Sequence, residues 1–245
     1  MCGRYASFRE AQDLADAFAL EDLADDAATL PPSWNLAPTD PVRIVVERTA
    51  RDAPPESPPV RSLRLARWGL VPGWAKDPSV GARMINARAE TLAERPAFRR
   101  ALASRRCLVP AEGYYEWTPP PPGSPARTPK VPHWIHPADG RVLAFAGLYE
   151  FWRDPTLADD DPARWLVSTT IVTGGAGPDG AAAALHDRRP VILAPGRWDA
   201  WLDPGTDAPT ALGLLDDPAP SLDAWTVSTA VNSATSEGPE LIAPV

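Results

Sequence analysis

The stretch CLVPAEGYYEW, residues 107–117, has the pattern of a strand, a turn and a second strand. On both sides of it the chain contains further strand-like runs with no regular alternation of strands and helices. We therefore expect an α+β fold, with a largely antiparallel, barrel-like β core and peripheral helices, in a single domain over residues 1–245. The other predicted strands lie at residues 42–47, 63–71, 133–135, 142–152, 165–173, 191–194 and 225–228.

Three stretches predict helices. Ser7 and Glu10 have the spacing of a capping box, and apolar residues at helical spacing follow, which predicts a helix over residues 8–20. A basic helix is predicted over residues 96–105 and a tryptophan-containing one near residues 198–202. Loops or turns are predicted where proline or glycine is frequent, at residues 49–60, 72–74 and 119–132.

Composition narrows the class of protein. With 44% hydrophobic and 23% charged residues the chain is typical of a soluble globular protein. No early stretch joins basic residues to a long apolar run, so neither a signal peptide nor a membrane span is expected. Two cysteines, Cys2 and Cys107, are too few for a disulfide framework, and a reducing, cytoplasmic setting is expected.

Metal and cofactor motifs are missing from the sequence. The two cysteines and three histidines have no metal-binding spacing, so no metal site is predicted. The glycine run at residues 174–177 is too short and too poorly spaced for a dinucleotide or phosphate loop. We therefore expect no cofactor.

The charge is distributed unevenly. The formal net charge is -8, which by itself argues against a nucleic-acid partner. Residues 61–106, here called the basic stretch, nevertheless contain eleven basic and three acidic residues. An acidic protein with such a stretch can still hold a phosphate backbone locally.

The first four residues, Met1-Cys2-Gly3-Arg4, suggest a specific chemistry. Removal of Met1 leaves Cys2 with a free α-amine beside its own thiol, with typical pKa values of about 7.7–8.0 and about 8.5. Such a 1,2-aminothiol condenses with an aldehyde to an imine, and the thiol then closes a thiazolidine ring. The alternative is that a cysteine at this position is incidental.

Several motifs place polar residues among aromatic ones at strand ends. Taken together and in this order they resemble the SRAP family, named for SOS response-associated peptidases and known as abasic-site crosslinking proteins. The match runs from Cys2 to the terminal ELIAPV. The motifs are WNLAPT from Trp34, RWGLVPGW from Arg67, INARAET from Ile85, EGYYEW from Glu112 and HDRRPVIL from His186.

The resemblance implies a function in DNA repair. The protein would bind single-stranded DNA, or a single-strand to double-strand junction, that contains an abasic site. Cys2 would attack the C1′ aldehyde and form a thiazolidine crosslink that protects the lesion. The resemblance also implies lyase-like and autoproteolytic (peptidase) activity, and we expect a cytoplasmic monomer that joins the nucleoid when bound to DNA.

Three further residues match catalytic positions of the family. Asn86 matches the position that holds the crosslinked residue and the sugar oxygen. Glu116 matches the acid/base glutamate, and its neighbours Tyr115 and Trp117 are expected to form an apolar wall that raises its pKa. His186 matches the histidine that donates to the sugar hydroxyl or polarises the aldehyde.

Other positions are assigned to DNA binding. Arg4 and Arg88 match phosphate-contacting positions, for which a bidentate guanidinium is suited. Trp68 and Trp74 are candidates for stacking on unpaired bases, with core packing as the alternative. Two more positions are expected to shape the loop beside the pocket: Asn35 and Pro38.

Two other functions use the same residues. In an amino-terminal nucleophile hydrolase, the Cys2 thiol would attack an amide with its own amine as base. Against a general protease, the sequence has no G-x-S-x-G motif, and peptide cleavage has no use for the basic stretch. The second alternative is a non-covalent single-strand binding module in which Cys2 is inert.

Overall fold

The computed structural model describes residues 2–49, 54, 56–176, 180–216 and 220–245. Part of the predicted loop at 49–60 lies outside these residues. The strands are β1 (Tyr5–Ser7), β2 (Asp22–Leu23), β3 (Ser33–Leu36), β4 (Pro41–Arg48), β5 (Val60–Trp68), β6 (Asn86–Arg88), β7 (Arg106–Ala111), β8 (Gly113–Thr118), β9 (Val131–Pro137), β10 (Leu143–Arg153), β11 (Trp165–Gly175), β12 (Arg188–Pro190) and β13 (Leu222–Thr226). The α-helices are α1 (Ala11–Phe18), α2 (Asp25–Ala28), α3 (Pro96–Ser104), α4 (Ala181–Leu185), α5 (Pro195–Leu202) and α6 (Ala208–Gly213), and short 3-10 turns connect several of these elements.

Five strands form a closed barrel. Strand β7 pairs with β4 and β10, and the outer partners of these two strands are β5 and β11, all antiparallel. The ring closes through a short parallel contact in which Ser168 is opposite Arg67 and Thr169 is opposite Trp68. The predicted α+β fold with a mainly antiparallel, barrel-like core and peripheral helices is confirmed. Closure gives every strand of the ring two neighbours and removes open sheet edges.

A second, antiparallel sheet has the order β13-β9-β8-β1-β3. The chain moves from the barrel to this sheet at Glu112, between β7 and β8. The predicted strand-turn-strand at 107–117 therefore exists, but its two strands belong to different sheets. A Cβ on Gly113 would lie 2.5 Å from the carbonyl oxygen of Ile135, so this switch between sheets requires glycine.

The buried apolar residues separate into clusters. Helices α1, α3, α5 and α6 cover one side of the barrel with residues such as Phe18, Leu102 and Trp201. Another cluster contains residues of both sheets, including Tyr114 of β8 and Phe145 of β10. Cys2 belongs to this second cluster, which places it between the two sheets.

The first helix begins later than predicted. Helix α1 starts at Ala11, and Ser7 is instead the last residue of β1, opposite Ser33 of β3. The capping-box interpretation is wrong, because Glu10 is the N-cap residue and makes no side-chain capping bond. Strand pairing therefore overrode the local signal of Ser7. The basic helix, observed at Pro96–Ser104, is confirmed.

The strand predicted at 191–194 is also misplaced. The regular strand here is β12, Arg188–Pro190, which pairs with β11. After it, the amide of Val191 donates to Val172 of β11, and the amide of Leu193 donates to Ala144 of β10. This segment crosses from β11 to β10, where Ile192 forms an isolated bridge opposite Phe145, and so it does not continue as a regular strand.

Among the helices that the structure describes, none has both the length and the apolar composition needed to cross a membrane.

We expect Gly113→Ala to lower the free energy of unfolding by about 1–3 kcal/mol, because the new methyl group would overlap the Ile135 carbonyl and the Trp134 ring. Urea denaturation followed by tryptophan fluorescence measures this change. Gly213→Ala is the control, since a Cβ there meets nothing within 4 Å. Equal stability of the two variants would show that the close approach at Gly113 is not required.

Candidate functional site

Cys2 lies just before β1 and is completely buried. Its thiol donates a hydrogen bond to the carbonyl of Arg4 at 3.7 Å, and its own carbonyl accepts one from the Asn86 amide nitrogen at 2.7 Å. Burial, followed by the negative charge of Glu116, raises the pKa of the Cys2 thiol well above its usual range. With Met1 attached, the sulfur is therefore a neutral thiol near neutral pH.

Glu116 lies on β8 and is 4% exposed. Alternate residues of a strand point to opposite faces, so Glu116 shares its face with Tyr114. Tyr115 and Trp117 belong to a separate apolar cluster on the other face. The prediction that these two rings wall in Glu116 is therefore wrong. The charge of Glu116 instead acts on Cys2 and Tyr114.

Asn86 begins β6, which pairs in parallel with β11 and so fixes the backbone opposite Ile171. The amide nitrogen of Asn86 holds the Cys2 carbonyl. The amide oxygen is buried and has no hydrogen-bond partner in the described part of the chain. Asn86 thus presents an acceptor next to Cys2.

His186 follows α4, which packs against β8 and β13. Its Nδ1 lies 3.0 Å from the amide nitrogen of Arg188 and 2.7 Å from a carboxylate oxygen of Asp187. The neutral ring accepts at Nδ1 from the amide, while a protonated ring donates to Asp187. Leu185, the residue before His186, packs against the apolar cluster that contains Cys2, so the structure brings His186 toward the same region.

Arg4 is half-buried, and its guanidinium forms hydrogen bonds with other groups of the protein. Its guanidinium donates to the Asn35 side-chain oxygen at 2.6 Å, to the Val231 carbonyl at 3.1 Å and to the Asn232 carbonyl at 3.4 Å. Burial lowers the pKa of Arg4. These bonds use several of the five donors on internal partners and tie the N-terminus to the segment at residues 231–236.

Asn35 is fully buried and also bonds to the segment at residues 231–236. Its amide nitrogen donates to the carbonyls of Ser233 at 2.8 Å and Ser236 at 2.9 Å. The grouping of Asn35 with the DNA-binding positions does not extend to direct contact with DNA, because Asn35 has no exposed surface. Pro38 is half-buried and begins a loop whose next residue, Thr39, donates its amide to the Trp68 carbonyl.

The two candidate stacking tryptophans differ in exposure. Trp68 is completely buried, donates from its indole nitrogen to the Ile85 carbonyl at 2.9 Å and packs edge-on against Tyr5. The stacking role for Trp68 is therefore wrong, and core packing is its role. Trp74 is 65% exposed at the predicted turn, where its ring is accessible to a ligand.

The basic stretch offers fewer cations to a ligand than its composition suggests. Arg61, Arg64 and Arg105 form ion pairs with carboxylates, and Arg106 is buried against backbone carbonyls. Arg88 is exposed and lies two residues beyond Asn86. The exposed cations of the stretch are Lys76, Arg83, Arg88, Arg95, Arg99 and Arg100.

Sequence reasoning gave no role to three residues near this site: Arg188, Arg189 and Tyr114. Arg188 pairs with both carboxylate oxygens of Glu90 at 2.9 and 3.0 Å, which lowers the pKa of Glu90. Arg189 is half-buried, and its charge acts on Tyr114. The HDRRP motif signalled the arginines, whereas only strand alternation from Glu116 would have indicated Tyr114. Among the described residues, no three His, Cys, Asp or Glu side chains group as metal ligands.

A cysteine near the N-terminus, held between a barrel and a second sheet beside an asparagine and a glutamate, agrees with the motifs quoted above. The chain matches the model of the family described as SOS response associated peptidase (SRAP) over residues 1–234. It therefore belongs to the SRAP family.

Similar proteins come from bacteria and vertebrates. Abasic site processing protein YoqW of Bacillus subtilis is 37% identical over 244 residues, covering 99% of both chains. Abasic site processing protein YedK of Escherichia coli is 30% identical over 251 residues, covering all of both chains. Abasic site processing protein HMCES of Xenopus tropicalis is 28% identical and covers all of this chain and 78% of the relative. A solved protein of Bacteroides thetaiotaomicron superposes with a TM-score of 0.76 at 21% identity over the full length of both chains, which supports the fold.

We expect Asn35→Ala to lower the free energy of unfolding by about 1–3 kcal/mol, because it removes the donor to two carbonyls and the acceptor of Arg4. Gln12→Ala removes an exposed amide of similar chemistry and should change stability by less than about 0.5 kcal/mol. Chemical denaturation of both variants measures the difference. If Asn35→Ala is as stable as Gln12→Ala, the hydrogen bonds of Asn35 do not stabilise the N-terminal segment.

Proposed function

We propose that this protein recognises abasic sites in single-stranded DNA, or at single-strand to double-strand junctions, and captures them covalently through Cys2 after removal of Met1. The names of the relatives support abasic-site processing as the activity. The observation that carries the covalent part is the position of Cys2, whose carbonyl is held by Asn86 and whose thiol experiences the charge of Glu116.

The amine is the first nucleophile in this proposal. While Met1 is attached, the nitrogen of Cys2 belongs to a peptide bond and is not nucleophilic. Removal of Met1 makes it an α-amine with a typical pKa of about 7.7–8.0, whereas the buried thiol keeps its proton. The nitrogen lone pair forms a bond to C1′ of the ring-opened sugar, and the carbonyl electrons move to the oxygen.

Glu116 moves the protons of the two following steps. Its carboxylate takes a proton from the new ammonium nitrogen and passes it to the C1′ oxygen, which gives the neutral carbinolamine. Glu116 then takes up a second proton from solvent and donates it to the C1′ hydroxyl, which leaves as water and gives the iminium ion. The thiol then adds to C1′ and transfers its proton to Glu116, closing the thiazolidine. Lyase-like strand cleavage would proceed from the imine, and ring closure by sulfur removes that intermediate.

Asn86 and His186 bind the sugar of the abasic site. The Asn86 amide nitrogen keeps the Cys2 backbone in place, and its buried oxygen accepts a hydrogen bond from a sugar hydroxyl. His186, oriented at Nδ1 by the Arg188 amide, presents the rest of its ring to the sugar or its phosphate.

Exposed cations such as Arg88 bind the phosphates of the DNA backbone. The exposed ring of Trp74 stacks on an unpaired base. Arg4 positions the N-terminus through its bonds to Asn35 and Val231. With a net charge of -8 the protein binds DNA weakly at high salt, because the local cations are its electrostatic contribution to affinity.

Cys2→Ala should abolish a heat-stable adduct with a single-stranded oligonucleotide that carries one abasic site, because it removes the sulfur that closes the ring. Glu116→Gln should slow adduct formation by about 10²–10⁴-fold, the usual contribution of acid/base catalysis. Denaturing electrophoresis measures the adduct, and intact mass reports whether Met1 is present. Cys107→Ala, which removes the other thiol from the barrel interior, is the matched control and should crosslink as wild type.

No adduct from wild-type protein that lacks Met1 and binds the same DNA would refute covalent capture and favour the plain binding module. Retention of Met1 in Glu116→Gln but not in wild type, both expressed in the same cells, would instead support self-removal of Met1.

Trp74→Ala should weaken binding to undamaged single-stranded DNA by roughly 5- to 150-fold, which corresponds to about 1–3 kcal/mol for one base stack. Trp165→Ala removes an indole that is 52% exposed at the first residue of β11, six residues before the partner of Asn86. No DNA contact is proposed for Trp165, so this variant should leave affinity unchanged. Fluorescence anisotropy of a labelled oligonucleotide measures both, and equal losses would contradict the assignment of Trp74.

A further inference from the structure

The hydroxyl of Tyr114 is a buried polar group without an assigned role. Tyr114 is completely buried, and its hydroxyl has no hydrogen-bond partner among the residues that the structure describes. Buried hydroxyls are normally hydrogen-bonded, so an exception in a binding region suggests that a ligand provides the partner. Tyr115, the next residue, differs: its hydroxyl donates to the Trp34 carbonyl at 2.7 Å on the other face of β8.

The ring of Tyr114 is held firmly. It packs edge-on against Phe145 with 6.1 Å between ring centroids and an interplanar angle of 79°. Its backbone is paired on both sides, with Tyr5 of β1 and Ile135 of β9. The hydroxyl therefore has a fixed position within the apolar cluster that also contains Cys2.

Three charged or ionisable groups act on this hydroxyl, and all belong to the candidate site. Burial, then Cys2, then Glu116 raise the pKa of Tyr114, and the cation of Arg189 partly opposes them. The hydroxyl of Tyr5 is also buried and without a described partner, and Cys2 acts on it as well, but the carboxylates that act on it are Glu112 and Asp40 and not Glu116. Tyr114 is thus the buried phenol on the same side as Glu116, and it remains a neutral donor.

We propose that the Tyr114 hydroxyl is a catalytic residue of the crosslinking reaction, donating a hydrogen bond to the C1′ oxygen while the Cys2 amine adds to C1′. This inference rests on the proposed function. The nitrogen–C1′ bond forms, the carbonyl π electrons move to the oxygen, and the hydroxyl stabilises the negative charge that develops there. The phenol keeps its proton throughout, since Glu116 carries the proton that lets the oxygen leave as water.

The test compares Tyr114→Phe with Tyr115→Phe, both prepared without Met1. Each variant loses one phenol hydroxyl from adjacent residues of β8, but only the first loses it on the Glu116 face. Crosslinking rates are measured by quenched-flow electrophoresis at saturating abasic DNA, and affinity is measured separately with undamaged DNA. Tyr114→Phe should crosslink at least about tenfold more slowly with unchanged affinity, whereas Tyr115→Phe should crosslink as wild type.

Thermal unfolding separates a catalytic from a structural role. Tyr114→Phe removes a buried hydroxyl without a described partner, so its melting temperature should equal or exceed that of wild type. Tyr115→Phe loses a hydrogen bond and should melt lower. A wild-type crosslinking rate for Tyr114→Phe, or a slower rate accompanied by a lower melting temperature, would overturn the inference. Absence of any adduct with wild-type protein would instead refute the proposed function itself.

Discussion

The position of Cys2 depends on the pairing of β1, a strand of three residues, between β3 and β8. Chain termini usually fray, because few contacts fix them. Here the amide of Tyr115 donates to the Arg4 carbonyl and the amide of Glu112 to the Ala6 carbonyl, both at 3.0 Å. The strand nearest the N-terminus, β1, is thus part of a sheet, and Cys2, which precedes it, is held between the two sheets.

This placement decides the chemistry that the residue can perform. Burial favours the neutral thiol over the thiolate, which makes Cys2 a poor free thiol nucleophile while Met1 is present. A nearby carboxylate raises the thiol pKa further and can accept its proton when a new bond to sulfur forms. The same arrangement therefore disfavours indiscriminate thiol reactions and suits an ordered sequence in which nitrogen reacts before sulfur.

Many of the arginines in the basic stretch maintain the fold. Arg106, for example, donates to the carbonyls of Trp201 at 2.7 Å and Leu102 at 2.6 Å inside the protein. Charge counting along the sequence cannot distinguish such residues from ligand contacts, because both look the same before folding. The cations that remain exposed are a subset, and they are consistent with local attraction of DNA by a protein that is acidic overall.

Long strands could be predicted from the sequence because their apolar patterns are strong, as at Leu143–Arg153, observed close to its predicted bounds. Short strands such as β1 could not, since three residues contain no period, and in the sequence Ser7 has the pattern of a helix cap. The motifs singled out Cys2, Asn86 and Glu116, and the structure places these three residues close together. They did not show that Trp68 is internal, or that Glu116 faces Tyr114 and not the adjacent rings, because these facts depend on which sheet each strand joins.

The most direct test of the account is a count of free thiols in the purified, denatured adduct. Processed protein has two thiols, from Cys2 and Cys107. A thiazolidine uses the sulfur of Cys2, so alkylation should modify one cysteine in the adduct, Cys107, and two in uncrosslinked protein treated identically. The intact mass should equal protein plus DNA less one water. Alkylation of both cysteines in a stable adduct would contradict ring closure by sulfur and therefore the central claim.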